Sequence, residues 1–491
     1  MSKRASHSHV DLRAIAHASM IAAGFAPDFP SAVVSEVRAN VANRAPAVGE
    51  SVKDLRGLLW SSIDDQKSRD LDQVEYAEKL PGGDTRLLIG IADVDAFVSQ
   101  GSATDQHAGA NCTSVYTGVK TFPMLPEELS TDLTSLVAGE DRLAVVTEMI
   151  LAAAATVKKK EFYRAIIKNR ARLSYESIGD WLAGKTGVPD SVQRVPGLEA
   201  QLRLQNETAE CLAALRQRHG AINLETLQAT PVIDGHGKLV DLALVEPNAA
   251  RELIANFMIA ANVAMAEFLE AHGGPSLRRV VRTPKYWDRI VEIAEELGEK
   301  LPPDPDSRAL AEFLERRKKS DPLHFPDLSL AVVKALGPGE YAVQAPGDEG
   351  EGHFGLAVQD YTHSTAPNRR YVDLITQRLL KAVLAEQPPP YDAAELERIA
   401  ERCTDRDAAA RKVERKMRKV AAALLLHDQV GSEFEAIVTG VTEKGTFARI
   451  LKPPVDGRIM RRERGLRVGE KVRVRLLSTD PERGFIDFAR A

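Results

Sequence analysis

Residues 61–73 read SSIDDQKSRDLDQ and put four aspartates, Asp64, Asp65, Asp70 and Asp72, inside nine positions. Apolar GLLW (57–60) precedes them and strand-like VEYAEKL (74–80) follows. Like charges this close destabilise one another unless a cation or an arginine neutralises them. Any fold must therefore present an acidic loop at the edge of a core and bring positive charge to it. Three arrangements compete. In a calcium loop of the EF-hand type, Asp64 at position 1 puts Glu75 at position 12, but position 6, where the sharp turn needs glycine, is Arg69. Turn aspartates supporting Asx-turns and caps explain one or two of the acids well and four poorly. A hard-cation site needs this kind of ligand set on a loop after a buried strand. Magnesium takes oxygen from a few carboxylates, with water and substrate phosphate completing its shell, and two metals about 4 Å apart can serve both oxygens of a phosphoryl displacement.

The chain has 491 residues, too many for one core, and a span of roughly 100–200 residues per domain predicts two to four domains. Its three cysteines, Cys112, Cys211 and Cys403, fit neither a metal spacing nor a disulfide framework, which predicts a reducing, cytoplasmic setting. Asp11, Arg13 and His17 interrupt the apolar N-terminal stretch, and no run of about 20 apolar residues exists, so neither a signal peptide nor a membrane partner is expected. The net charge of −5 argues against indiscriminate polyanion binding, but residues 456–475 hold eight Arg or Lys against three acids. A local basic surface is compatible with an acidic whole.

Along the chain, residues 1–46 read as two short helices, either a helix-turn-helix reader or a helical hairpin packed on the next domain. Strand-like and helix-like stretches then mix: RLLIGIADVDAFV (86–98) predicts a buried strand leaving through a bend at Asp93, and residues 251–274 predict a long amphipathic helix. Asp392 with Glu395 forms a capping-box start for a helix to about 428. The last 60 residues alternate in polarity as five short strands, the pattern of a small OB-type barrel and a common platform for single-stranded nucleic acid.

The pattern Ile63-Asp64, then Asp70-Leu71-Asp72, then GIADV (90–94) resembles the catalytic (RNB) domain of ribonuclease II-type exoribonucleases. Collinear blocks at 113–143, 253–264 and 353–380 are similar to that family too, and GSEFEAIVTGVTEKGTFARI resembles its terminal S1 domain. The resemblance implies an α+β chain with a small N-terminal helical region (1–46), a mixed α/β RNB catalytic domain (47–429) and a C-terminal OB-fold S1 β-barrel (430–491). It implies processive 3′→5′ hydrolysis of single-stranded RNA to 5′-mononucleotides with Mg2+, Mn2+ being the alternative, by a protein expected to be a monomer. Asp64, Asp70 and Asp72 fall on the family's catalytic aspartates, and Arg369 on the arginine near the scissile phosphate, where a fixed guanidinium stabilises developing charge. Tyr116 falls on an aromatic that stacks on the 3′-terminal base, an interaction that tolerates any base. Glu414 resembles a cavity-lining glutamate. Arg370 and, on the barrel, Phe447, Arg461 and Arg462 are candidate RNA contacts, the basic run holding phosphates in a salt-dependent way. His363 is expected to make a structural hydrogen bond.

Three departures from the family pattern stand out. The fourth acid after Asp72 is Gln73, whose amide oxygen can ligate a cation but brings no charge; Asp65 is an extra acid at a spacing that does not match. The second stacking aromatic, expected near GGPSLRR (273–279), is absent, which leaves the base clamp either incomplete or filled by Arg278 in another way. Only about 45 helical residues precede the catalytic region, too few for the family's cold-shock barrels, which predicts a more open entrance and tolerance of structured RNA with a 3′ overhang. The runner-up is a catalytically weak or inactive RNA-binding protein that keeps the fold. A DNA-binding regulator using the N-terminal helices is the third reading.

Overall fold

The computed structural model describes residues 10–42, 52–225, 229–234, 239–244, 247–348, 350–442, 445–462 and 464–491. The expected boundary near residue 46 lies outside these. Two helices open the described chain, α1 (Leu12–Ala22) and α2 (Ser31–Ala42). Strands β1 (Lys53–Asp54), β2 (Trp60–Asp64), β3 (Gln73–Lys79) and β4 (Thr85–Ala92) follow. Helix α3 (Ala103–Asn111), the short hairpin β5 (Val115–Tyr116) and β6 (Thr121–Phe122), and strands β7 (Asp141–Leu151) and β8 (Val157–Ser174) come next.

The six strands outside the hairpin form one sheet in the order β1-β8-β2-β3-β4-β7. The long β8 pairs antiparallel with β7 and, at its end, parallel with β2, so both sides of the sheet meet on it. All but one of the β4 residues are buried, as the apolar run 87–92 requires. Gly90 on β4 permits close packing: a methyl there would lie 3.1 Å from Val74 and 3.5 Å from the Trp60 ring. The predicted bend follows at Asp93.

Helices α4 (Tyr175–Leu182), α5 (Asp190–Gln193) and α6 (Leu198–Arg218), the hairpin β9 (Ala229–Ile233) and β10 (Leu239–Leu244), and helix α7 (Ala249–Ala271) complete this layer. By length and hydropathy α7 is the one described helix able to cross a bilayer, but 56% of its most apolar window is buried inside the protein. Its Asn262 accepts from the Ser364 backbone N–H at 2.8 Å. It is a core helix.

Strand β11 (Ser276–Val280) pairs with β12 (Glu340–Gln344) around a separate helical cluster, α8 (Trp287–Glu296), α9 (Ser307–Ser320) and α10 (Phe325–Leu336), packed on Trp287, Phe313 and Phe325. Helix α11 (Tyr371–Leu384) leads to α12 (Ala393–Leu425), whose start carries the predicted Asp392–Glu395 capping box. Strands β13 (Glu433–Thr442), β14 (Gly445–Ile450), β15 (Val455–Arg461), β16 (Lys471–Asp480) and β17 (Phe485–Arg490) close a barrel in the order β13-β14-β15-β17-β16. Its inner face buries Val438, Ile450, Ile459, Val474 and Phe488. Arg449 of β14 reaches Asp327 of α10 at 3.0 Å and ties the barrel to the helical cluster.

The N-terminal helices are spent on packing. Leu12, Ala16 and Met20 of α1 enter a core with Val115, Phe122, Val413 and Met417. Glu36 of α2 accepts from the backbone N–H groups of Ala103 and Thr104 at 2.9 and 3.3 Å, capping α3. Such packing is that of the helical-hairpin alternative.

Candidate active site

Asp64 ends β2, and its Oδ1 accepts from the Asp65 backbone N–H (2.6 Å) and the Ser68 hydroxyl (2.9 Å). The loop that follows is clamped from residues 135–136: Ser135 accepts from the Leu71 N–H at 3.0 Å, and the Leu136 N–H donates to the Leu71 carbonyl at 2.9 Å. Asp72 continues into the sheet, its carbonyl accepting from the Ala92 N–H at 2.9 Å. Its side chain is 2% exposed. Oδ1 accepts from the Asn368 N–H at 3.1 Å, and Oδ2, which has no hydrogen bond, lies 3.3 Å from Nε of Arg369. Burial pushes the Asp72 carboxyl up to about 7 against the opposing pull of Arg369. Burial also raises Asp64.

Two distant segments are zipped together above this loop. The Ser114 N–H and the Thr113 hydroxyl both donate to the Arg369 carbonyl, at 3.0 and 3.2 Å, and the Tyr371 N–H donates to the Cys112 carbonyl at 2.8 Å. Arg369 and Tyr116 are thereby held on one side of the acids. Burial works against the Arg369 charge, but Asp72, Tyr116, Asp64 and Asp70 outweigh it and keep the guanidinium protonated. Its side chain is still 45% exposed, open to a substrate. The Tyr116 hydroxyl donates to Asp70 Oδ2 at 3.2 Å and its backbone N–H to Glu414 Oε1 at 3.1 Å, while the residue as a whole stays 41% exposed. Gly118 makes the turn behind it: at φ +80° it passes Pro231 so closely that a methyl would lie 2.7 Å from the ring. Tyr116→Ala is expected to weaken binding of a single strand by about 1–3 kcal/mol, measured by fluorescence anisotropy, with the folded state intact.

The structure gathers Asp64, Asp70, Asp72, Arg369, Tyr116 and Glu414. It assigns other partners to several further residues. Arg370 is held through one edge of its guanidinium, Nη2 and Nε donating to Asp373 at 2.6 and 2.8 Å, which fixes it at the turn into α11. Arg278, 2% exposed, pairs with Glu270 (2.9 Å) and Asp360 (3.3 Å) and does not complete a base clamp. Asp65 turns away to Arg251 at 2.8 Å. His363 shares a 2.8 Å hydrogen bond with the Tyr341 hydroxyl, and burial drives its pKa well down, leaving it a neutral structural group. On the barrel, half-buried Phe447 faces outward opposite Arg458, and Arg461 and Arg462 are exposed. Arg462, Arg464 and Arg490 line a shallow concavity of about 590 Å³ there.

Tyr175 escaped the sequence reading. It follows Ser174, which the parallel pairing of β2 and β8 sets beside Asp64, and the Arg251 guanidinium stacks 4.3 Å from its ring centre. A lone tyrosine between a strand and a helix carries no local signal.

The donor set fits a hard divalent cation. Every candidate ligand offers oxygen, Asp72 Oδ2 is buried without a hydrogen bond, and one Asp64 oxygen is uncommitted. Among the described residues no three His, Cys, Asp or Glu side chains stand close enough together to hold a metal ion by themselves. Magnesium does not need such a group, since water and substrate phosphate complete its shell.

An acidic loop faced by an arginine and an exposed tyrosine, with a terminal OB-type barrel, defines the class of ribonuclease II-like proteins. The RNB domain matches residues 52–386, and the RNase II-type exonuclease C-terminal S1 domain matches 432–491. The chain belongs to the RNB family. It is 30% identical to Ribonuclease R of Aquifex aeolicus over 94% of this chain and 68% of that protein. It is 28% identical to Ribonuclease R 1 of Lactococcus lactis over 93% of this chain and 59% of that protein, so it spans well short of the full length of these curated relatives. Mycoplasma genitalium RNase R, solved with ribose-methylated single-stranded RNA, superposes with a TM-score of 0.87 at 24% identity, covering 98% of this chain and 78% of that one. The same protein with double-stranded RNA gives 0.85 at 25% identity, covering 98% and 84%. Ribonucleases of the family generally depend on a divalent metal.

Proposed function

We propose that this chain is a 3′→5′ exoribonuclease that hydrolyses single-stranded RNA processively to 5′-mononucleotides. The convergence of Asp72, Asp70, Arg369 and Tyr116 on one spot, from segments up to about 300 residues apart, carries the reading. In this reading residues 47–429 form the catalytic unit and 430–491 the S1 barrel that feeds the strand, while α1 and α2, in the 1–46 region, brace the catalytic unit. Tyr116 stacks the 3′-terminal base. Glu414, gripping the Tyr116 backbone, fixes the height of that ring above Asp70. Arg369 meets the charge that builds on the non-bridging oxygens of the last phosphodiester, and Asp72 orients Arg369. Asp64, Asp70, Asp72 and the amide oxygen of Gln73 would hold Mg2+ or Mn2+, which when bound supplies Lewis-acid activation of the attacking water.

A time course on 5′-labelled single-stranded RNA with Mg2+ or Mn2+ tests this. Shortening from the 3′ end to a short limit product is expected. RNA that is bound but never shortened with either ion identifies a binding protein instead, the outcome that the uncharged Gln73 favours. A duplex with a short 3′ overhang should also be digested into its paired part, a reading supported by the double-stranded RNA bound to the Mycoplasma relative. Arrest at the single-strand–duplex junction counts against that extension and leaves the main reading untouched.

A further inference from the structure

Residues 134–136, which touch neither RNA nor cation in the reading above, grip both halves of the site. Ser135 and Leu136 hold the acidic loop through Leu71, and the Ser135 hydroxyl donates to the Arg69 carbonyl at 2.7 Å. Thr134, just before them, reaches the other half: its hydroxyl is bonded to the Asn368 side chain, 2.5 Å from Oδ1. Asn368 is the residue whose backbone N–H meets Asp72, and Arg369 follows it. Thr134 is 3% exposed and Asn368 1%. The strap is itself rooted in the sheet, because Asn169 of β8 donates to the Leu136 carbonyl at 2.8 Å.

Counting protons shows how odd this pair is. A hydroxyl has one proton to give. Thr134 Oγ1 also lies 2.8 Å from the Leu129 carbonyl, which already takes the Thr134 N–H at 3.0 Å beside the π-helical turn Leu129–Leu133. In either rotation of the Asn368 amide the two side chains are bonded, and one polar atom of the amide, Nδ2 in this structure, stays buried without a partner. Such an orphan costs stability, and two apolar side chains of the same shape would avoid the cost. The pair is a poor choice for holding the fold together. A directional bond, unlike apolar packing, gives register between two segments. Register is what this site needs, since Asp72 and Arg369 come from segments distant in the chain and meet at 3.3 Å.

We propose that Thr134 and Asn368 are a positioning pair: their hydrogen bond fixes the turn carrying Arg369 to the strap that holds the acidic loop, and so sets the guanidinium against Asp72. The inference rests on the exonuclease reading of the site.

The test is the double variant Thr134→Val with Asn368→Leu, which keeps both side-chain shapes and removes every polar side-chain atom of the pair. Its single-turnover cleavage rate at saturating RNA should fall about tenfold or more, since small misplacements of reacting groups cost this much. RNA affinity in EDTA should not change, and the melting temperature should be no lower than that of wild type, because the orphaned amide is gone. Thr134→Val alone should lose both rate and melting temperature, and Thr134→Ser, which restores the hydroxyl, should recover most of both. Placed in Arg369→Ala, the double exchange should cost little further rate, because the pair acts through that guanidinium. A wild-type rate in the double variant overturns the proposal. So does a rate lost together with RNA affinity or melting temperature, or an undiminished loss on top of Arg369→Ala. If the double variant does not fold, Asn368→Leu decides in its place, with the Thr134 hydroxyl turned to Leu129. Should neither fold, the pair serves the fold and the proposal falls. Wild type that never shortens RNA with Mg2+ or Mn2+ removes the exonuclease reading, and this proposal with it; wild type that shortens RNA no faster than the double variant removes this proposal alone.

Discussion

Asp72→Asn should stop RNA cleavage while leaving RNA binding in place. The expected loss in single-turnover rate is about 10³-fold or more, the order at which removal of one preorganised charged group in a water-poor site is felt. Asparagine retains an oxygen for the Asn368 N–H, so the local chain path survives. What disappears is the charge facing Arg369 at 3.3 Å and the unpartnered Oδ2 available to a cation. Anisotropy with labelled RNA should show affinity unchanged or tighter, because a negative charge has left the path of a polyanion. Rate and affinity falling together would mean that Asp72 shapes the site without taking part in the chemistry.

The same residue makes a stability prediction whose sign can be worked out. Burial raises the Asp72 carboxyl to about 7, above its ordinary value near 4 in an unfolded chain. The folded protein therefore holds that proton more tightly than the unfolded one, and ionised Asp72 weighs against folding. The penalty is absent below about pH 4, grows up to about pH 7, and is then constant. In EDTA at pH 8, Asp72→Asn is expected to melt no lower than wild type, measured by calorimetry. A clear fall in Tm would show the Asp72–Arg369 pair to be a net support of the fold.

How far the site was readable in the sequence follows from how local its signals are. Four acids in nine positions violate ordinary charge spacing, so the loop announces itself, and the flanking strands are visible in their apolar runs. Arg369 and Tyr116 are legible through the blocks around them, though nothing in those blocks reveals that the Arg369 carbonyl is held by residues 113 and 114. Tyr175 is brought to Asp64 by the parallel pairing of strands more than 100 residues apart, and such pairing leaves no local mark. The acid that Arg370 pairs with is local, Asp373 three residues on, and so is visible in the sequence.

Arg369→Ala should lower kcat by about 10²–10³-fold, the range seen when one donor to a developing oxyanion is lost. The fold should survive, because the segment is pinned by its backbone: the Arg369 carbonyl accepts from Ser114 and Thr113, and the side chain is 45% exposed. The substitution also separates two jobs that a cation among acids can perform. If Arg369 merely neutralises Asp64, Asp70 and Asp72, its removal leaves their charge uncompensated and a divalent ion should bind more tightly and restore the rate. If it stabilises charge on the phosphate, the ion binds more tightly and the rate stays low, since a metal on the acids does not stand where the guanidinium stood. We expect the second result, Mn2+ affinity rising in electron paramagnetic resonance while kcat at saturating Mn2+ remains depressed. Arg369→Lys should fall between, because an ammonium keeps the charge but loses the planar fork that fits a phosphate edge. Full recovery of kcat in Arg369→Ala by added Mn2+ would reduce Arg369 to a counter-ion and return the charge stabilisation of the transition state to the acidic loop alone.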